Sequence, residues 1–283
     1  MESAFWDRVV AEGLKVPADR PLADLTAELT TMLGSTDPYL RDEIAYPTLA
    51  TWVSEGVYDD LLEGLGDGMT VGLSVGIGED GTDTVFRRSF SALVLAECIE
   101  RATSPDFGSG ADVGDDAVLR WGDRVAGWLV RERDLRGFVP GKGWAHALAH
   151  GADALGVLAQ APVMGRLELT VLLDVVADRL LVPTRARLTH GEDDRLATAT
   201  MRVLRRDLVG LEVLEPWVAR LAERSRPATV KDDDPYLVTG NVQGYLRSLH
   251  LQLALAPRPP ACRADLLLVL IEHLRKANPH TLR

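Results

Sequence analysis

The chain has 283 residues, with 42 acidic against 31 basic side chains and a formal net charge of −11. Nucleic acid and anionic membrane need clustered basic residues; the densest group here, Arg202, Arg205 and Arg206, reads as the solvated side of a helix, so neither partner is expected. A chain of this length buries roughly three quarters of its unfolded surface and needs no disulfide or structural metal to fold.

The opening residues, Met1-Glu2-Ser3-Ala4-Phe5-Trp6-Asp7, lack the basic start and apolar core of a signal peptide. The longest apolar run, Leu266 to Ile271, is too short to span a bilayer. Cys98 and Cys262 share no ligand spacing and read as small buried hydrophobes. A reduced, cytoplasmic setting is expected.

Helical periodicity dominates the chain. Asp37-Pro38 is an N-cap followed by proline at the first helical position, and Pro47 kinks or ends the helix they start. An apolar pattern restarts over residues 48–57. The glycine-dense stretch 64–82 predicts a long ordered loop, an insertion with at most a short hairpin over Val71 to Ile77. Gly76-Ile77-Gly78-Glu79-Asp80-Gly81 matches GxGxxG, but it has no βαβ context, and Glu79 and Asp80 would repel a pyrophosphate. Such a loop suits a lid over a concave surface. Further helices are predicted over 83–103, 115–134, 144–160, 165–182, 192–210, 211–224, 236–256 and 261–277, with proline and glycine punctuation between them.

The helix after Pro140-Gly141-Lys142-Gly143 is apolar almost all round, apart from one wedge. At about 100° per residue, and with Ala145 as zero, His146, His150 and Asp153 fall near 100°, 140° and 80°. Buried imidazoles and carboxylates must find partners. Two histidines four apart can share a metal, with a further ligand from Asp42, Glu43, Glu192 or Asp193, although no HExxH occurs. The alternative is a structural network across packed helices. Lys142 between two glycines offers either an exposed turn or an anion site at a helix start. Arg88 is expected to pair with Asp42, Glu43 or Asp153. The acids of Glu192-Asp193-Asp194-Arg195 suit a first helical turn, and Asn241 reads as a cap or a member of a buried network. No GxSxG elbow occurs, and neither cysteine has a histidine nearby in sequence.

Helix-rich segments open roughly every fifty residues, and Asp37-Pro38-Tyr39-Leu40-Arg41 and Asp193-Asp194-Arg195-Leu196-Ala197 resemble the Asp…Arg…Ala opening of HEAT-type repeats. The expected fold is all-α: a single HEAT-like α-solenoid over 1–283, a right-handed superhelix of about five helical hairpins. Four stretches resemble a bacterial family known as domain of unknown function 2785. They are Arg41 to Pro47, Phe86 to Leu93, Gly141 to Asp153 and Glu192 to Ala197. That resemblance implies an all-helical repeat fold and brings no established activity. The expected function is a binding or scaffold module whose concave groove collects Arg41, Glu43, Arg88, Lys142, Trp144, His146, His150 and Glu192, and takes a peptide segment or small anionic molecule without a cofactor. The alternative is an enzyme in which His146, His150 and Asp153 form a metal site or a general acid–base group.

Overall fold

The computed structural model describes residues 2–107, 113–224, 234, 236–279 and 282. Its contacts group into two compact units, Met1–Ala154 and Leu155–Arg283. Among the described residues every regular element is helical except one short hairpin. The chain is therefore all-α in class.

The first unit runs α1 (Glu2–Ala11), α2 (Leu22–Met32), a π-helical turn Tyr39–Ala45, α3 (Tyr46–Ser54), a 3-10 turn Asp59–Leu61 and α4 (Leu62–Gly72). It continues with α5 (Thr84–Ala102), α6 (Asp115–Arg131), strands β1 (Phe138–Val139) and β2 (Gly143–Trp144), and the start of α7 (Ala147–Leu158). Pro47 has no N–H to donate and stands in the first turn of α3. The chain before it widens into the π turn, where Tyr46 donates its N–H to the Arg41 carbonyl five residues back.

Two departures from the sequence reading stand out. Helices α1 and α2 carry apolar stripes too short to predict a helix from sequence. The stretch expected as a loop over 64–82 is the body of α4 as far as Gly72, and only residues 73–83 are irregular. Two of the α4 glycines, Gly66 and Gly72, are closely packed: a Cβ on Gly66 would lie 2.3 Å from the Trp121 ring, whose Nε1 donates to Asp67 at 2.9 Å. Gly66→Ala is expected to cost about 1–3 kcal/mol by overpacking, read as a lowered denaturation midpoint.

Five of the six tryptophans are internal, and each donates its indole N–H to a fixed acceptor. Trp6 reaches Glu28, Trp52 the Leu14 carbonyl, Trp121 Asp67, Trp128 Glu132 and Trp217 the Leu173 carbonyl. Trp144 alone is exposed, at 43%. Cys98 is fully buried, and that burial pushes its thiol far above the ordinary range.

Glu97 accepts a hydrogen bond from the Tyr46 hydroxyl at 2.9 Å, and burial raises its carboxyl pKa. A raised folded-state pKa means stability that is complete below the unfolded value of about 4.3 and lost as pH rises through the folded value. Glu97→Gln keeps an acceptor for Tyr46 and removes the buried charge. Its melting temperature is expected to exceed the parent's at pH 7, with the gap closing toward pH 4.

The second unit contains α8 (Arg166–Leu181), α9 (Glu192–Leu204), α10 (Leu211–Arg224), α11 (Tyr236–Leu255) and α12 (Arg263–Ala277). Asn241 joins a buried network as expected. Its Oδ1 accepts the Leu188 N–H and its Nδ2 donates to the Ala186 carbonyl, both at 3.0 Å. Tyr245 and Thr200 share a buried hydroxyl pair at 2.7 Å that ties α11 to α9.

Candidate functional site

Two arginines expected to face a ligand lie inside the first unit. Arg41 is fully buried, donating to Asp42, to the Ser35 carbonyl at 2.7 Å and to the Lys142 carbonyl at 2.8 Å. Its guanidinium lies 4.2 Å from the Phe86 ring centre and 5.0 Å from that of Phe90. Burial raises the Asp42 carboxyl pKa, and Arg41 opposes the shift.

Arg88 is also fully buried and forms a fork with Glu132 at 2.6 and 2.8 Å. Its other terminal nitrogen donates to the Val75 and Gly76 carbonyls and to the Thr84 hydroxyl. The acid expected for Arg88 was Asp42, Glu43 or Asp153. Glu132 takes that place from the end of α6, where it also accepts from Trp128 and from the N–H groups of Arg133 and Asp134.

These bonds pin the segment 73–83. Asp134 accepts the Gly81 N–H at 3.1 Å, Arg136 donates to the Thr82 carbonyl at 2.7 Å, and Lys142 reaches Asp83 at 2.6 Å. Glu79 accepts from Thr82 and Thr84, which lowers its carboxyl pKa. The lid expected here is fastened from four sides. Lys142 is spent on Asp83 rather than held open for an anion.

The histidine wedge has a different geometry from the one drawn on a continuous helix. Residues 138–139 pair antiparallel with 143–144, so Trp144 belongs to a hairpin and α7 begins at Ala147. His146 lies in the joint with φ at +46°, a left-handed conformation uncommon for a side chain of its size. Two positive-φ glycines, Gly141 and Gly143, make the hairpin turn possible. The His146 ring is stacked on Trp144 with centroids 4.3 Å apart, and Phe138 meets Trp144 edge-on at 5.0 Å. His150 stands behind, with its ring centre 5.8 Å from that of His146 and 5.1 Å from that of Phe90.

His150 is nearly buried, and its Nδ1 lies 2.7 Å from the Ser89 hydroxyl. That hydroxyl donates its one proton to the Ala145 carbonyl, so toward His150 it can only accept. The neutral ring therefore carries its proton on Nδ1 and its lone pair on Nε2. Ser89 thus orients His150. Ser89→Ala would strand both the Nδ1 proton and the Ala145 carbonyl, an expected loss of about 1–3 kcal/mol. Long-range ¹H–¹⁵N correlation spectra should show the Nδ1–H tautomer for His150 in the parent and a changed tautomer balance in Ser89→Ala.

The other expected residues are dispersed. Glu43 is exposed beside Asp42, and Asp153 is half-buried on α7. Glu192 belongs to the second unit, where it is buried at the start of α9 and accepts the His190 N–H at 2.8 Å. Arg195, expected inside a repeat stack, is exposed. Among the described residues no three His, Cys, Asp or Glu side chains converge as a metal-binding group. The hairpin residue Phe138, exposed at 46%, has no sequence signal of its own, because Gly137 to Gly143 reads as punctuation alone.

The sequence from 73 to 251 matches the model of a family described as Protein of unknown function (DUF2785). The chain belongs to this family. The family match spans α5 to most of α11, and so includes Arg88, Glu132, the hairpin and both histidines, while Arg41 and the π turn lie outside the matched residues. No curated protein and no solved structure matches the chain. Among the described residues no helix is long and apolar enough to cross a membrane.

Proposed function

We propose that the protein is a binding or scaffold module of HEAT-like helical hairpins that engages a peptide segment through the exposed aromatic hairpin at residues 138–144. The observation that carries this reading is the aromatic platform of Phe138, Trp144 and His146. Trp144 is the one exposed tryptophan of six, held by a stacked imidazole on a turn fixed by Arg41. Exposed aromatics on a rigid support are what interfaces use as anchors. An anionic small molecule is the weaker guest, because Arg41 and Arg88 are buried and Lys142 is paired. The setting we propose is cytoplasmic, in keeping with two free thiols.

The test is panning of a random displayed-peptide library against the whole chain. Enriched peptides should lose most of their binding to Trp144→Ala and Phe138→Ala, whose melting temperatures should stay close to the parent's because both side chains are exposed. Peptides that bind the two variants as well as the parent would remove the platform from the proposal.

A second reading is favoured by one observation, the tautomer of His150. A lone pair on Nε2 with Nδ1 held by Ser89 is the arrangement of a general base. On that reading His150→Ala abolishes turnover of a substrate found by activity screening, while Trp144→Ala chiefly raises KM.

A further inference from the structure

The large aromatic side chains this protein exposes are unevenly placed. Tyr39, Phe138, Trp144 and Tyr236 are the exposed ones among the described residues, and three of the four belong to the two segments that meet at one contact. Pro38 and Gly143 pack so closely that a Cβ on Gly143 would come within 3.0 Å of the Pro38 Cβ. Tyr39 follows one partner of that contact and Trp144 the other. Arg41, two residues beyond Tyr39, ties the same two segments together through the Lys142 carbonyl.

Acidic side chains flank the Tyr39 side of this cluster, and Arg8, next to Asp7, pairs with Asp19. The Tyr39 hydroxyl donates to Asp7 at 2.8 Å, and that bond, with burial and the charges of Asp7 and Glu43, raises the phenol pKa. Asp7 and Glu43 are both exposed. The cations held closest to the hairpin are committed elsewhere: Arg41 is internal, Arg136 is bound to Asp134 and Lys142 to Asp83. Aromatic faces flanked by carboxylates attract a guanidinium or ammonium group, through the ring quadrupole and through Coulomb attraction together.

We propose that the segment docking on this platform is basic, an arginine- or lysine-bearing peptide whose cation lies against Trp144 and Tyr39 with Asp7 and Glu43 at the rim. The inference rests on the binding-module reading above and adds the charge of the guest. The proposed ligand reverses the anionic one that isolated sequence motifs suggested, because Arg41 and Arg88 face inward, Lys142 is paired with Asp83 and the rim acids face out.

The test uses the whole ¹⁵N-labelled chain and three short Gly/Ser peptides of identical length, carrying arginine, citrulline or glutamate at the same positions. Binding is followed at the Trp144 indole N–H resonance, assigned by its absence in Trp144→Phe. The arginine peptide should shift that resonance at least about tenfold more tightly than the citrulline peptide, and the preference should shrink with added salt and in Glu43→Gln. Equal affinity of the citrulline or glutamate peptide at Trp144 would overturn the basic partner and leave the platform reading in place. If no peptide of any charge moves Trp144, the platform reading falls as well.

Discussion

Glu132→Ala is expected to lower the melting temperature by roughly 10 °C, since removing one member of a buried pair costs about 3–5 kcal/mol and each kcal/mol shifts a domain of this size by a few degrees. Both partners are completely buried, and Glu132 accepts five hydrogen bonds from Arg88, Trp128 and two backbone N–H groups. The variant strands all of these donors, one of them a full charge. Arg88→Met with Glu132→Leu removes both charges together and is expected to recover much of the lost stability. The double variant should loosen the segment 73–83, because Arg88→Met removes the donor to the Val75 and Gly76 carbonyls that Glu132→Ala retains. Hydrogen exchange of the amides around Gly81 separates the two effects: protection there should be lower in the double variant than in Glu132→Ala while the melting temperature is higher. A double variant that melts with Glu132→Ala would show that the fork is itself the main stabiliser.

The second large effect is expected at Arg41. In Arg41→Met the half-buried Asp42 carboxylate loses its fork partner, and the Ser35 and Lys142 carbonyls lose their donors. The expected cost at neutral pH is again about 3–5 kcal/mol. The pH dependence has a definite sign. Burial already raises the Asp42 carboxyl pKa, with Arg41 holding it down, so removing Arg41 raises it further. Stability tied to a raised carboxyl is complete below the unfolded pKa and lost as pH rises through the folded one. The deficit of Arg41→Met should therefore be largest near pH 7 and shrink as pH falls toward 4, measured as urea midpoints against the parent. Releasing Lys142 and Gly143 also frees the hairpin, so the Trp144 contribution to fluorescence should shift to longer wavelength in the same variant. A deficit independent of pH would place the cost on the carbonyls and not on Asp42.

Much of the helical framework is legible in the sequence, because long amphipathic segments announce themselves. Helices α5, α8, α10, α11 and α12 lie within two residues of their expected limits at each end. The segment 62–72 was not legible, because glycine weakens a helix in isolation and tertiary packing, such as that of the Trp121 ring on Gly66, holds it helical. The chemistry of 141–153 was legible in its residue types and not in its geometry. A helical wheel assumes uniform φ, and one residue at φ +46° moves His146 off the helix and onto Trp144. Glu132 was invisible as the partner of Arg88 because a separation of 44 residues leaves no local signature. Residue type marked Arg41 and Arg88 as candidates. Only burial assigns them to the interior.

The spacing of that pair has a consequence for how the chain comes into being. Arg88 is synthesised 44 residues before Glu132 and 46 before Asp134, the acid that ties down Gly81. Until α6 has emerged, a cation destined for the interior has no counter-ion there, and desolvating it alone is prohibitive. Closure of the interior around Arg88 is therefore expected only when the residues following α6 arrive. A nascent chain halted with residue 125 at the exit of the ribosome should remain protease-sensitive between α4 and α5, whereas one halted beyond residue 154 should resist.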